Sequence, residues 1–191
     1  MEKYIKLING DTIPKLGMGT WFLGEKRKTR EQEIDALQAG LKAGVALIDT
    51  AEMYGNGKSE QLIGEATKPF NREKLYLVSK VYPHNAGRGK ISESLEQTLN
   101  CPLAQGGNLR KEMQRNPILL KLAEKHGITL MQLLLAFVLQ NEHMIAIPRS
   151  GKKEHVLENA AVQEVTLSEE DLEALNKAYP VPGTKMPLDI V

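Results

Sequence analysis

Apolar residues recur along this chain in two alternating rhythms. Short runs that stay apolar until their last one or two positions alternate with longer stretches where apolar side chains return every three or four residues. Val45-Ala46-Leu47-Ile48-Asp49-Thr50, Leu75-Tyr76-Leu77-Val78-Ser79-Lys80-Val81 and Met144-Ile145-Ala146-Ile147-Pro148 belong to the first kind. They read as buried parallel strands that become polar as they emerge at their carboxyl ends. A weaker strand with two glycines spans 16–22. The helical rhythm follows Thr29, with Ile34, Leu37 and Leu41 on one side, a capping box from Thr29 and Gln32, and a stop at Gly44. It returns at 59–66, and at 90–99 through Ile91, Leu95 and Leu99. Pro117 opens another helix that stops at Gly127. Thr129 and Gln132 box the start of 130–139, which is apolar nearly all round and so is buried on most sides or covers an otherwise open surface. Helices at Lys153–Ala161 and 168–178 follow, the latter boxed by Ser168 and Asp171. At the start of the chain, Asn9-Gly10 between 4–7 and 12–16 signals a hairpin.

The alternation predicts an α/β fold of (β/α) units carried by a single domain over 1–191. A complete (β/α)₈ barrel takes roughly 250 residues, whereas this chain has 191. Four central strands are also too few to close a barrel, so the expected fold is a truncated or partial TIM-type barrel with an N-terminal β-hairpin. Between 100 and 107 the rhythm breaks, with Cys-Pro and Gly-Gly but no apolar run. The 25 basic and 24 acidic residues leave a net charge of +1, which offers no field for nucleic acid or a membrane surface. Cys101 is the sole cysteine, so no internal disulfide forms and a reducing compartment, the cytoplasm, is expected. The opening MEKYIKLING reads as neither a signal peptide nor a span. His84, His126, His143 and His155 have no metal-ligand spacing with Cys101, and no metal is assigned.

Asp49 and Lys80 close two neighbouring strands, and Tyr54 follows Asp49 by five residues. At the carboxyl end of a parallel sheet the three side chains can converge. A lysine ammonium beside a phenol favours the phenolate, a carboxylate keeps the lysine charged and oriented, and the phenol then protonates a carbonyl oxygen as hydride reaches its carbon. The plainer alternative makes Asp49 a loop cap, Tyr54 a surface aromatic and Lys80 a solvated cation. Ile147-Pro148-Arg149-Ser150-Gly151-Lys152-Lys153 passes from strand to helix. Its helix-start N–H groups, serine and cations suit a phosphate, or form an ordinary turn with solvated lysines. Neither GxGxxG nor GxxxxGK[ST] occurs.

The ordered segments LGMGTW (16–21), LIDTAEMYGNGKSEQLIGEA (47–66), LVSKV (77–81), CPLAQGG (101–107) and IPRSGKKEHVLENA (147–160) resemble those of the aldo-keto reductases, in particular the bacterial members. The resemblance implies a (β/α)₈ barrel ancestry with the hairpin closing its bottom, and NADPH-dependent reduction of aldehydes or ketones. It implies Tyr54 as general acid with Lys80 and Asp49 tuning it, and Trp21 lining the substrate pocket. Arg149 and Ser150 would contact the adenosine 2′-phosphate. His155 falls where an arginine commonly stacks on adenine, Glu158 and Asn159 match adenine-holding residues, and Leu103, Gln105 and Gly106 fall where the chain crosses the pyrophosphate. The family's strand ending in Leu-Leu-His, with its catalytic histidine, has no counterpart, nor do the Ser-Asn and Gln that hold the nicotinamide. Asn100 joins directly to Cys101, as though the central barrel units were deleted there. Two expectations follow from this departure. The chain is either a working NADP(H)-dependent reductase of a small carbonyl compound or an impaired remnant that still binds NADP. Its exposed barrel edges favour self-association.

Overall fold

The computed structural model describes residues 2–80 and 113–179. The expected helix at 90–99, His84, Cys101, Leu103, Gln105, Gly106 and the C-terminal tail lie outside them. Strands β1 (Tyr4–Lys6) and β2 (Thr12–Pro14) form the antiparallel hairpin, with Tyr4 opposite Pro14. Strands β3 (Gly17–Gly19), β4 (Leu47–Asp49) and β5 (Tyr76–Val78) form a parallel sheet in the order β3-β4-β5. The chain around 146–149 lies along the other edge of β3. Gly17 N–H donates to Ala146 O at 2.8 Å, Ala146 N–H to Lys15 O at 2.8 Å, and Gly19 N–H to Pro148 O at 3.2 Å. All four expected strand segments are therefore neighbours, with their carboxyl ends on one side.

Two of them are less regular than the pattern predicts. The segment at 144–148 is held by isolated parallel bridges, Leu16 to Ala146 and Gly19 to Arg149, rather than as a continuous strand. Pro148, within it, has no N–H to give to a ladder. The strand expected over 16–22 shrinks to β3, because Trp21 and Phe22 leave the sheet in a turn closed by Leu23 N–H to Thr20 O at 2.9 Å. The two β3 glycines that dilute its apolar signal have a packing role. A Cβ on Gly17 would lie 2.8 Å from Leu47 Cγ, and one on Gly19 would lie 2.8 Å from the Ile147 carbonyl oxygen. Their absence lets the flanking segments close on β3.

Helices α1 (Arg30–Lys42), α2 (Lys58–Thr67), α3 (Pro117–His126), α4 (Leu130–Gln140), α5 (Lys153–Ala161) and α6 (Glu169–Ala178) pack around this sheet. Leu37, Ile48, Leu62, Leu119, Leu133, Leu135 and Leu139 are buried at the centre of one apolar cluster. Each exclusion of such a side chain from water contributes roughly 1.5–3 kcal/mol. The capping boxes at Thr129–Gln132 and Ser168–Asp171 form as expected. The one at Thr29–Gln32 does not. A 3₁₀ turn (Arg27–Thr29) precedes α1, and the Thr29 hydroxyl donates to Glu33 Oε1 at 2.8 Å instead of capping the helix. Glu33 is drawn inward because its other oxygen accepts the Gly24 N–H at 2.8 Å. Helix α4 buries Leu133, Leu135, Ala136 and Leu139 and leaves Phe137 partly exposed, so its apolar circumference serves the core. Among the described residues no single helix is long and apolar enough to cross a membrane.

One polar contact ties α3 to α6. The Asp171 carboxylate is 2% exposed, and it accepts from Lys125 Nζ at 2.6 Å while meeting His126 Nε2 at 2.9 Å. It also accepts the Ser168 N–H at 2.9 Å. Burial alone would raise its pKa, but the hydrogen bonds from Lys125, Ser168 and His126 outweigh burial and hold the carboxyl well below the usual carboxylate range. A depressed folded-state pKa stabilises the fold above the unfolded value and loses that contribution as pH falls through the folded value. Asp171→Asn is therefore expected to cost about 2 kcal/mol near neutrality. Urea unfolding at pH 7 and again below pH ~4 checks it: the gap between variant and parent should narrow in acid.

Candidate active site

The carboxyl ends of β4 and β5 carry the polar residues that the apolar runs end on. In β4 the side chains alternate, so Leu47 and Asp49 share one face while Ile48 enters the apolar cluster on the other. The Asp49 side chain is 8% exposed. Burial pushes its pKa up, and the hydrogen bond and charge of Lys80 pull it back. Lys80 Nζ lies 2.7 Å from each Asp49 oxygen and donates to the Thr50 carbonyl at 2.9 Å. Those three bonds use every hydrogen of the ammonium. Its contact with Tyr54 is consequently made through space, with Nζ 5.3 Å from the phenol ring centroid. The reading of Lys80 as a solvated cation does not hold.

The loop that presents Tyr54 is pinned at both ends. Thr50 N–H donates to Val78 O at 2.8 Å and Glu52 N–H to Lys80 O at 3.0 Å, which continues the β4–β5 pairing beyond the strands. Gly55, Asn56 and Gly57 then turn through three successive left-handed conformations, φ 58°, 52° and 80°, into α2. Glycine and asparagine are the residues that adopt this region at least cost.

Trp21 stands on the neighbouring turn, its ring centroid 6.4 Å from that of Tyr54. The turn is rooted on the backbone of Asp49, which accepts both the Thr20 N–H at 3.1 Å and the Thr20 hydroxyl at 2.9 Å. Ser59 Oγ donates to Thr20 O at 2.7 Å. Asp49, Tyr54, Lys80 and Trp21 are thus brought together. Arg149 joins this rim from the far side of β3, donating its Nε–H to Trp21 O at 2.8 Å with its guanidinium 6.0 Å from the Phe22 ring. Ser150 Oγ accepts the Lys152 N–H at 3.1 Å just before α5 begins. His155 and Glu158 are exposed along α5 and Asn159 is half-buried. Thr20 and Phe22 gave no signal in the sequence; the anchoring bonds of Thr20 and the left-handed turn at Phe22 are set by tertiary geometry.

The sequence profile of the aldo/keto reductase family matches residues 15–105 and 100–180, two pieces that meet in the 100–105 segment. The chain belongs to the aldo/keto reductase family. The methylglyoxal reductase YeaE of Escherichia coli is 30% identical over 283 positions, covering 100% of this chain and 99% of that protein. Since only 191 residues meet those positions, the chain is short relative to its relative, consistent with an internal deletion. The methylglyoxal reductase DkgA of E. coli is 35% identical over 97 residues, 49% of this chain and 32% of that one. An aldo-keto reductase from Klebsiella pneumoniae solved in complex with NADPH superposes with a TM-score of 0.87 at 27% identity, covering 100% of both chains. The thermostable aldo-keto reductase Tm1743 superposes at 0.75 and 26% identity, over 92% of this chain and 99% of that one. The fold of this aldo/keto reductase family member is accordingly a TIM-barrel relative with partial coverage of the barrel.

The Asp49–Lys80 pair makes a pH-dependent prediction. Replacing Lys80 by Met leaves a buried carboxylate unpaired and should cost about 3 kcal/mol at pH 7. An acid whose folded pKa is raised binds more protons folded than unfolded, so its unfavourable contribution grows as pH rises through that window. The Lys80→Met defect, measured by urea unfolding, should shrink on moving from pH 7 toward pH 4. A defect that stays constant would mean that Asp49 is not the group left unpaired.

Proposed function

We propose that this chain is an NADP(H)-dependent reductase of small aldehydes or ketones, with Tyr54 as its proton donor and Lys80 and Asp49 as the pair that supports it. The convergence of Asp49, Lys80 and Tyr54 at the carboxyl end of the sheet carries this reading. We assign it to a single 1–191 domain with its seam near Asn100–Cys101, acting in the cytoplasm. Asp49 keeps Lys80 charged and fixed. Lys80 places a positive potential over Tyr54, and Tyr54 gives its phenolic proton to the carbonyl oxygen, with Trp21 forming an apolar wall beside it. Bound NADPH supplies the hydride.

The residues present fit the adenosine end of that cofactor. Arg149 commits only its Nε–H to a described residue, which leaves its two amino groups for a 2′-phosphate. Ser150 and the cations Lys152 and Lys153 adjoin it at the start of α5. His155, Glu158 and Asn159 lie one turn apart along the same helix, suited to adenine. Leu103, Gln105 and Gly106 are assigned to the pyrophosphate on the resemblance alone. YeaE and DkgA carry the name methylglyoxal reductase, which makes a small 2-oxoaldehyde the natural first substrate to try.

A second reading, nucleotide binding with little turnover, is favoured by the meeting of the two family segments at 100–105. That junction leaves no sequence for the Leu-Leu-His strand or the nicotinamide-holding residues. Loss of one well-placed donor costs roughly 3 kcal/mol of transition-state stabilisation, so turnover should fall by a factor of roughly 10²–10³. Incubation with NADPH and methylglyoxal, followed by cofactor absorbance, separates the two. Slow oxidation that drops to background in Tyr54→Phe supports reduction, while rates equal in both proteins leave only binding. NADP should bind more tightly than NAD, and Arg149→Ala should erase that preference. Among the described residues β5 has a strand neighbour on one side only, and we extend the proposal to pairing of two copies along the barrel edges. Sedimentation velocity at micromolar concentration should then give the mass of a dimer, and a cooperative monomer would remove this part.

A further inference from the structure

Phe22 is held in a conformation its side chain disfavours. Its φ is +63°, in the left-handed region that phenylalanine rarely enters. It sits at the third position of the turn closed by Leu23 N–H to Thr20 O, where glycine is the residue of choice when φ is positive. Such a conformation persists when its surroundings over-determine it, and it marks positions worth a functional question. Among the described residues, Trp21 and Arg149 lie against the ring. The Trp21 ring stacks on it with centroids 4.6 Å apart and planes inclined by 17°. The Arg149 guanidinium lies 6.0 Å from its centroid, while Arg149 Nε–H grips the Trp21 carbonyl at 2.8 Å. Trp21 and Phe22 remain 41% and 51% exposed, so inclusion in the apolar core does not account for the arrangement.

We infer that Phe22 is a positioning residue: with Arg149 it sets the Trp21 ring against Tyr54, so that an anion engaged by Arg149 is felt at the carbonyl end of the site. A continuous line of contacts runs from Arg149 to Phe22, from Phe22 to Trp21, and from Trp21 to Tyr54, 6.4 Å between ring centroids. The anion-binding end and the proton-donating end are thereby joined through two aromatic rings and one strained turn. An anion that recruits the guanidinium changes its place over Phe22 or its grip on Trp21 O, and the stack follows. This inference rests on the assignment of Arg149 to the cofactor phosphate and adds a coupling to it.

Trp21 is the sole tryptophan, so intrinsic fluorescence reads this wall directly. The full chain is titrated with adenosine 2′,5′-bisphosphate and with 5′-AMP, while calorimetry on the same samples reports binding. The expected result is a saturable change in Trp21 emission with the bisphosphate and none with 5′-AMP. Phe22→Gly suits the left-handed turn and should stay folded; it should bind the bisphosphate with the emission response lost. Phe22→Tyr, which keeps a ring there, should restore the response. Bisphosphate binding with silent emission, or a response that survives in Phe22→Gly, overturns the coupling and leaves the cofactor assignment standing. No heat of binding overturns both.

Discussion

The ion pair between Asp49 and Lys80 joins the ends of two parallel strands whose own ladder is only three residues long. Lys80 spans β5 to β4 by reaching both carboxylate oxygens and the Thr50 carbonyl. The same residue, Asp49, uses its backbone carbonyl to root the turn that carries Trp21. The Lys80 carbonyl in turn accepts from Glu52 at the base of the Tyr54 loop. The Tyr54 phenol, the Lys80 cation and the neighbouring Trp21 ring thus depend on one charged contact and the backbone around it.

Such a contact is not chosen for stability. Removing two charges from water costs several kcal/mol per ion, and a well-packed apolar pair would often serve the fold as well. Here burial raises the Asp49 pKa even with Lys80 beside it, so desolvation is not fully offset. The Asp171 clasp is a useful contrast. There the bonds from Lys125, Ser168 and His126 outweigh burial, and the carboxylate lies at a helix N-terminus that favours its charge. One buried carboxylate secures helices, while the other holds a cation in reach of a phenol.

The elements of this fold were legible where local chemistry decides them. Pro117 and Gly127 bracket α3, and the Thr129 and Ser168 boxes open α4 and α6, because those residues satisfy or omit backbone groups at helix ends. Thr29 misled because its hydroxyl found Glu33, a partner that tertiary packing had brought inward. The weak apolar signal at β3 came from glycines selected by the close approach of Leu47 and Ile147. In the site, Asp49 and Lys80 were legible as strand-end polar residues with Tyr54 five residues beyond Asp49, and the role proposed for them came from the motifs around them. Phe22 was not, since nothing in an aromatic dipeptide announces a positive φ. Thr20 likewise carries its meaning in two bonds to a carbonyl 29 residues away in sequence.

The separation of the proposed site into two ends would explain how a shortened relative of a barrel enzyme could keep part of the family's machinery. The residues proposed to hold adenosine run from the bridged segment at 146–149, adjacent to β3, into the second turn of α5. Asp49, Lys80 and the proposed proton donor Tyr54 lie at or just beyond the carboxyl ends of β4 and β5, the next two positions in the same sheet. Both sets therefore depend on contiguous strands and helices and can persist together when units farther round the ring are missing. The two pieces of the family profile preserve this grouping by meeting at 100–105. Under the proposed function, what such a loss would remove is the hold on the nicotinamide ring, which would deliver hydride directly to the carbonyl carbon beside Tyr54. Orientation of reacting groups is worth several orders of magnitude in rate, so under that proposal turnover would be limited by how firmly the reacting ring is held rather than by the proton donor.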